Sequence, residues 1–183
     1  MEFGHSYWYV LAAILVPGVL WASWVDYAQR RVPNWLNASL IVLGFVAQAI
    51  YNGSGGLTAG LCGMLVGFGL LIVPWMMHGM GAGDVKLMAA IGVWVGPTLA
   101  LYCFLVGAVI GGVVAMIMIL STGRFKLACA NMSVIMAKCS NRQAWFTEFG
   151  SAKSFGATSQ LLPYGVPLTA GTLLVLAMKA FGS

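Results

Sequence analysis

The chain has 183 residues, of which 61% are hydrophobic and only 7% are charged, with a formal net charge of +5. This composition excludes a soluble globular domain and predicts an integral membrane protein, because so few charged side chains cannot cover a water-facing surface. The positive charge does not indicate nucleic-acid binding, because the basic residues are distributed by loop rather than gathered in one patch.

Six apolar runs predict an all-α, polytopic membrane protein with about six transmembrane helices, since a helix needs about 20 apolar residues to cross the hydrocarbon core. The runs cover approximately residues 8–25, 36–51, 57–77, 85–95, 98–120 and 162–181. The fourth and fifth runs are separated only by Gly96-Pro97, where proline interrupts a helix and glycine permits a turn. We expect residues 1–183 to form a single membrane domain.

The distribution of basic residues predicts the orientation of these spans. The loops after the first, third and fifth spans carry Arg30, Arg31, Lys86, Arg124, Lys126, Lys138, Arg142 and Lys153, whereas the opposite side carries Lys179 alone. Positive residues favour the cytoplasmic side. We therefore expect both termini outside the bacterial cytoplasmic (inner) membrane and a basic cytoplasmic loop at 121–161, which binds either anionic lipid or substrate.

The aspartate at the end of the first span is a candidate functional residue. The chain has four acidic residues, and Asp26 and Asp84 are its only aspartates. A carboxylate at a helix C terminus opposes the helix dipole by about 0.3–1 kcal/mol, and an exposed pair with Arg30 would return only about 0.3–0.5 kcal/mol. The Arg30 pair is the structural alternative to a functional role. After this aspartate, Asn34 is expected to N-cap the second span.

The second aspartate, Asp84, ends a glycine-rich segment, residues 78–84. Its structural interpretation is an N-cap of the fourth span behind a flexible loop. Its functional interpretation is a catalytic group that a substrate backbone can approach, because Gly81 and Gly83 have no side chains. Lys86 is interpreted as a positive-inside residue that lies near enough to tune the carboxyl group.

Both aspartates are predicted to lie at the cytoplasmic membrane face. Two neighbouring carboxyl groups do not readily ionise together, so one can act as a general base on water while the other, protonated, polarises a carbonyl group. The sequence leaves open which aspartate has which role. The two histidines and four scattered cysteines offer no metal-binding pattern, so neither a metal nor a cofactor is expected.

Three segments resemble motifs of the type IV prepilin peptidases. Residues 81–87, Gly-Ala-Gly-Asp-Val-Lys-Leu, are similar to the GxGD motif and its continuation. Residues 26–34 are similar to the segment of the first aspartate, which ends in an apolar residue followed by Pro-Asn, and residues 162–167 are similar to the start of the last span. The resemblance implies an aspartyl endopeptidase with Asp26 and Asp84 as the catalytic pair. It implies substrate-binding or supporting roles for Gly81, Gly83, Lys86, Pro33 and Asn34.

The resemblance also implies a substrate. Members of the family remove the leader peptide from prepilins after a glycine, at the cytoplasmic membrane face, for type IV pilus assembly. Larger members carry paired CxxC motifs and methylate the new N terminus, whereas this sequence has no CxxC pair. It is similar to the short subfamily that serves Flp-type, tight-adherence pili, so we expect cleavage without methylation. The expected partners are Flp-type pilin precursors, pseudopilins and the lipid bilayer.

Functions from other classes stay open on the sequence alone. A small proton- or cation-coupled transporter or channel could use the two aspartates as ion sites. A structural assembly subunit would need neither aspartate. A presenilin-like intramembrane protease shares GxGD but normally has a longer, nine-span chain.

Overall fold

The computed structural model describes residues 5–29, 32–76, 81–122 and 164–181. Nearly all of them are helical, in α1 (His5–Gln29), α2 (Asn34–Met76), α3 (Ala82–Thr122) and α4 (Gly165–Phe181). Three helices are long and apolar enough to cross a membrane, and α4 is a shorter apolar helix. The predicted all-α class is confirmed for the described residues, whereas the count of six spans stays a prediction.

The two longest helices each contain a glycine at which the backbone leaves the helical conformation. Gly53 in α2 has a φ of 59° and Gly96 in α3 has a φ of 78°, values that glycine adopts without a steric penalty. Beyond the first kink, Gly60 lies against the ring of Phe45, although a straight helix would separate the two by about 22 Å. The chain therefore folds back on itself within α2.

Both kinks coincide with predicted breaks between spans, since Gly53 lies between the runs 36–51 and 57–77 and Gly96 belongs to the Gly96-Pro97 break. The helix ends differ by a few residues from the predicted spans. α1 continues to Gln29 rather than ending at residue 25, and α4 begins at Gly165 rather than at 162. Apolar runs mark the length that lipid can cover, whereas a helix continues until its main-chain hydrogen bonds end.

The chain divides into two compact units. One comprises Met1–Gly111 with Pro163–Ser183, and the other comprises Gly112–Leu162. Of the second unit the structure describes only the end of α3, so the predicted basic loop at 121–161 lies almost entirely outside the described residues. The prediction of a single domain over the whole chain stays a prediction.

The first half of α3 forms the core of the first unit. From Leu87 to Gly96 every residue is buried. A helix that is apolar on all sides is stable where either protein or lipid surrounds it. In the predicted fourth span, 85–95, every residue except Lys86 is buried, so protein rather than lipid covers this segment.

The buried half of α3 ends at Gly96-Pro97, where main-chain carbonyls lose their helical donors because proline has no N–H. Gln48 supplies a replacement. Its Nε2 donates to the carbonyl of Val93 at 3.0 Å and to that of Trp94 at 3.3 Å. The glutamine is fully buried, with 0% of its surface exposed. A side chain of α2 therefore caps the C-terminal end of the central helix segment.

Further bonds fix the same helix end from two sides. The hydroxyl of Tyr7 in α1 also donates to the carbonyl of Trp94. The indole Nε1 of Trp94 in turn donates to the carbonyl of Leu40 at 2.8 Å. This approach needs Gly44, because a Cβ there would lie 2.9 Å from the indole nitrogen. α1 and α2 are thereby both bonded to α3.

Glycines allow close packing between the second half of α2 and the first half of α3. A Cβ on Gly63 would overlap the carbonyl of Gly92, and a Cβ on Gly92 would overlap the carbonyl of Gly63. Small residues let helix backbones approach where no hydrophobic effect between helices operates, as in lipid. This contact holds the second half of α2 directly against the central helix segment.

Replacing the buried cap should destabilise the protein. Gln48→Leu keeps a side chain of similar size but leaves the buried carbonyl of Val93 without its donor and that of Trp94 with the Tyr7 hydroxyl alone, so we expect a loss of about 1–3 kcal/mol. The measurement is thermal unfolding of the purified protein in detergent. Gln29→Leu makes the same chemical change at an exposed position and should leave the midpoint nearly unchanged; equal midpoints for both variants would contradict the capping role.

The close glycine contact gives a second stability prediction. In Gly63→Ala the added methyl group meets the main chain of Gly92, and the overlap should outweigh the gain in helix propensity and cost about 1–3 kcal/mol net. Gly69→Ala is the matched control, since a Cβ there has no atom within 4 Å. Detergent unfolding should rank Gly69→Ala at or above the wild type and Gly63→Ala below it; the reverse order would show that the helices do not pack here.

Candidate active site

Asp26 lies in the last turn of α1 and is buried, with 6% of its surface exposed. The main-chain N–H of Gly165 donates to its Oδ2 at 3.0 Å. The approach is close enough that a Cβ on Gly165 would lie 2.8 Å from the same oxygen. The carboxyl group is therefore fixed against the main chain of α4.

The donor belongs to the first turn of α4. The first helical bond runs from the N–H of Leu168 to the carbonyl of Tyr164 at 3.2 Å, so the N–H of Gly165 has no acceptor inside its own helix. Thr169 Oγ1 donates to the carbonyl of Val19 at 3.1 Å and fixes α4 against α1. The positive end of the α4 dipole thus faces Asp26 and offsets the unfavourable C-terminal end of α1.

Asp84 lies in the first turn of α3 and is also 6% exposed. The prediction that it N-caps this helix is wrong, because α3 begins at Ala82 and the N–H of Asp84 already donates to the carbonyl of Gly81 at 3.1 Å. Its Oδ2 lies 3.4 Å from the position of a Cβ on Gly81. Its Oδ1 is buried and has no hydrogen-bond partner among the described residues.

The two carboxyl groups lie close enough to interact electrostatically. One comes from the C-terminal end of α1 and the other from the N-terminal end of α3, and both are buried in the same compact unit. Burial strengthens the repulsion between two like charges, so a single negative charge shared by the pair is favoured over two. The arrangement can both accept and donate a proton.

The segment after α1 contacts the loop that carries Gly83. A Cβ on Gly83 would lie 3.1 Å from the Cβ of Val32. Asn37 Nδ2 donates to the carbonyl of Gly83 at 3.2 Å, and Lys86 Nζ donates to Asn34 Oδ1 at 2.8 Å. The residues around the two aspartates are therefore joined to each other directly.

These contacts change the roles expected of individual residues. Asn34 does not N-cap α2 but is its first residue, and the carbonyl of Pro33 accepts the N–H of Asn37 at 3.4 Å. Lys86 is bonded to Asn34, and its tuning of Asp84 stays a prediction. The proposed Asp26–Arg30 pair lies outside the described residues, because Arg30 is not among them.

Sequence reasoning missed two residues of this site. Asn37 is 1% exposed. The sequence signal was an amide side chain inside an apolar run, where it costs free energy unless it forms a hydrogen bond. The segment of Gly165 was noticed, but its N–H carries no sequence signal because every non-proline residue has one. Among the described residues no three His, Cys, Asp or Glu side chains are grouped as metal ligands.

The bond from Asn37 predicts a contribution to stability. Asn37→Ala removes the donor to the Gly83 carbonyl in a buried setting, so we expect a loss of about 1–2 kcal/mol. Asn34→Ala breaks only the exposed bond to Lys86 and should cost less than about 1 kcal/mol. Thermal unfolding in detergent compares the two variants, and a larger loss for Asn34→Ala would refute this ranking.

Comparisons with known proteins cover the part of the chain that holds both aspartates. The family model for the type IV leader peptidase family matches residues 13–116. A prepilin leader peptidase/N-methyltransferase of Xanthomonas campestris is 31% identical over 133 residues, which cover 67% of this chain and 45% of that protein. Proteins of the same description from Neisseria gonorrhoeae and Stutzerimonas stutzeri are 29% identical over 134 residues and 32% identical over 123 residues.

The coverage of these relatives is partial. The matched region spans 45% of the Neisseria protein and 42% of the Stutzerimonas protein, with 67% and 61% of this chain. The chain therefore spans less than half the length of the curated relatives it matches. No solved structure matches the chain.

Proposed function

This chain belongs to the type IV leader peptidase family, and we propose that it is a membrane-embedded aspartyl endopeptidase that removes the leader peptide from prepilins. The observation that carries the proposal is the approach of two buried carboxyl groups, Asp26 and Asp84, from the ends of two different helices. A pair of carboxyl groups that share one proton is the chemical requirement of an aspartyl protease.

In the proposed reaction the ionised aspartate takes a proton from a water molecule as that water attacks the scissile carbonyl carbon. The protonated aspartate donates its proton to the carbonyl oxygen, which gives a neutral tetrahedral intermediate. The intermediate then loses the amine, which takes a proton from the first aspartate, while the second recovers its own. Water is consumed, and the dyad returns to its starting state.

The glycines beside Asp84 support the approach of an extended peptide. Gly81 is exposed and Gly83 is half-buried against Val32, so neither presents a side chain between the carboxyl group and a peptide backbone. We propose supporting roles for Pro33, Asn34 and Lys86. Lys86 Nζ donates to Asn34 Oδ1, and the carbonyl of Pro33 accepts the N–H of Asn37.

The membrane position of the site is proposed from helix ends and side chains. Around Asp26, Trp24 and Tyr27 are exposed, and such aromatic side chains are enriched where a bilayer meets water. Together with the basic residues of the neighbouring loops, they support a site at the cytoplasmic face of the inner membrane, with six spans and both termini outside. Flp-type pilin precursors and pseudopilins as substrates, and cleavage without methylation, are parts of the same proposal.

The position of the aspartates disfavours a transporter or channel. Ion sites in such proteins tend to lie near the bilayer midplane, on interrupted helices. Asp26 is in the last turn of α1 and Asp84 is in the first turn of α3, whereas the kinks lie far away at Gly53 and Gly96. The interrupted backbone and the carboxyl groups are therefore at different places in the chain.

Cleavage of a Flp-type prepilin by the purified protein in liposomes tests the proposal. Asp26→Asn and Asp84→Asn keep the size of each side chain but remove its ionisable proton, so each should lower the rate by about 10³-fold or more while the protein stays folded. The mass of the product also shows whether its new N terminus is methylated.

The matched controls are Glu2→Gln and Glu148→Gln, which neutralise the other two acidic residues of the chain. Both should cleave at close to the wild-type rate. Cleavage by a folded aspartate variant would exclude the aspartyl mechanism. A wild-type protein that cuts no prepilin but moves protons or cations across the liposome membrane would favour the transporter.

A further inference from the structure

The two carboxyl groups differ in their hydrogen-bond partners. Asp26 Oδ2 accepts the main-chain N–H of Gly165 at 3.0 Å in a buried setting. The carboxyl group of Asp84 also has a main-chain donor, Gly81, but its Oδ1 is buried and has no partner among the described residues. At Asp26 the start of α4 offsets the unfavourable end of α1, whereas the start of α3 favours a charge on Asp84, an effect smaller than the cost of a buried carboxylate oxygen without a partner. The decisive difference is therefore the buried, unpartnered Oδ1 of Asp84.

This difference favours a negative charge on Asp26. A hydrogen bond from an N–H group is stronger to a carboxylate than to a neutral carboxylic acid. A buried carboxylate oxygen without a partner is costly, and the neutral acid form reduces that cost. Since only one of the two groups ionises readily, the charge is expected on Asp26, whose carboxyl group has a donor and no buried oxygen without a partner.

The other polar groups around the pair do not reverse this preference. From α3, Asp84 itself is the titratable group that interacts with Asp26, and Lys86 Nζ is bonded to Asn34. From α2, Asn34 and Asn37 are neutral. Just before α4, Tyr164 is the titratable residue nearest in sequence to Gly165. The basic residues Arg30 and Arg31 and the imidazole of His78 lie outside the described residues.

We propose that Gly165 is a positioning residue whose main-chain N–H holds Asp26 as the ionised general base and thereby leaves Asp84 as the general acid. This inference rests on the proposed peptidase function and assigns the two roles that the sequence left open. It also gives the start of α4, the third segment of family resemblance, a place in the reaction.

The fold offers a substitution that removes this donor, together with a control for the side-chain atoms that it adds. Gly165 is the first residue of α4, a position where proline is well tolerated because its missing N–H has no helical acceptor. Gly165→Pro therefore deletes the bond to Asp26 and keeps the helix. Gly165→Ala is the matched control, since both variants add a Cβ at 2.8 Å from Asp26 Oδ2 but only the proline removes the N–H.

The readout is the pH dependence of kcat/KM for prepilin cleavage, which reports the essential acid and base of the free enzyme. With Asp26 as base, loss of the N–H makes its ionisation harder, so the acid limb should move up by about one pH unit in Gly165→Pro relative to Gly165→Ala. The alkaline limb, which reports loss of the proton from Asp84, should stay in place.

The other outcomes overturn the inference. If the alkaline limb moves up instead, Asp26 is the acid and the roles are reversed; if neither limb moves, Gly165 does not position the base.

Should Gly165→Pro fail to fold, Thr169→Val is the second test, because it removes the hydroxyl that bonds α4 to Val19. It should move the acid limb in the same direction by a smaller amount, and an unmoved limb counts against the inference. A wild-type protein without peptidase activity would instead refute the proposed function.

Discussion

The buried first half of α3 constrains the rest of the described structure. Every residue from Leu87 to Gly96 is surrounded by protein, so each neighbour must match its surface and its unpaired main-chain groups. Gln48 and Tyr7 satisfy the carbonyls at its C-terminal end, while the contact between Gly63 and Gly92 lets the second half of α2 approach it. Main-chain groups inside a membrane have no water to bond, so the two carbonyls need these side-chain donors.

The same helix carries Asp84 at its other end. Because the C-terminal end is fixed by bonds and the middle by close packing, the first turn has little freedom to move. The carbonyl of Gly83 is further held by Asn37. Stability and the proposed function are linked here, since the contacts that bury the helix also fix the carboxyl group that the reaction needs.

Asp26 illustrates how a local cost is offset from a distance. Within α1 it opposes the helix dipole, and this cost requires compensation. The start of α4 does so with the N–H of Gly165, which is far away along the chain. The N–H at the start of α4 lacks a helical acceptor, and the carboxyl group at the end of α1 is unfavourably placed in its own helix. The bond between them satisfies both groups. The bond also distinguishes two aspartates that appear equivalent in the sequence.

Local sequence rules failed where tertiary contacts competed with them. Asparagine and aspartate before apolar runs usually act as N-caps, yet Asn34 is the first residue of α2 and accepts a bond from Lys86, and Asp84 is inside the first turn of α3. The side chain of Asn34 is directed by Lys86, which is far away along the chain, whereas α3 begins before Asp84 and leaves it no cap to form. Propensity describes what a residue does in isolation, and a stronger partner overrides it.

Composition and the length of the apolar runs determined the class of this protein, because apolar segments long enough to cross a bilayer as helices satisfy their own main-chain groups. The same local information located the turns at Gly53 and Gly96 and the motif resemblance that leads to the family. Only the tertiary structure decided that the two aspartates approach each other, that Asn37 and Gly165 belong to the site, and that the two carboxyl groups have different partners. Each of these facts depends on contacts between residues far apart in the chain, and a local pattern carries no information about such contacts.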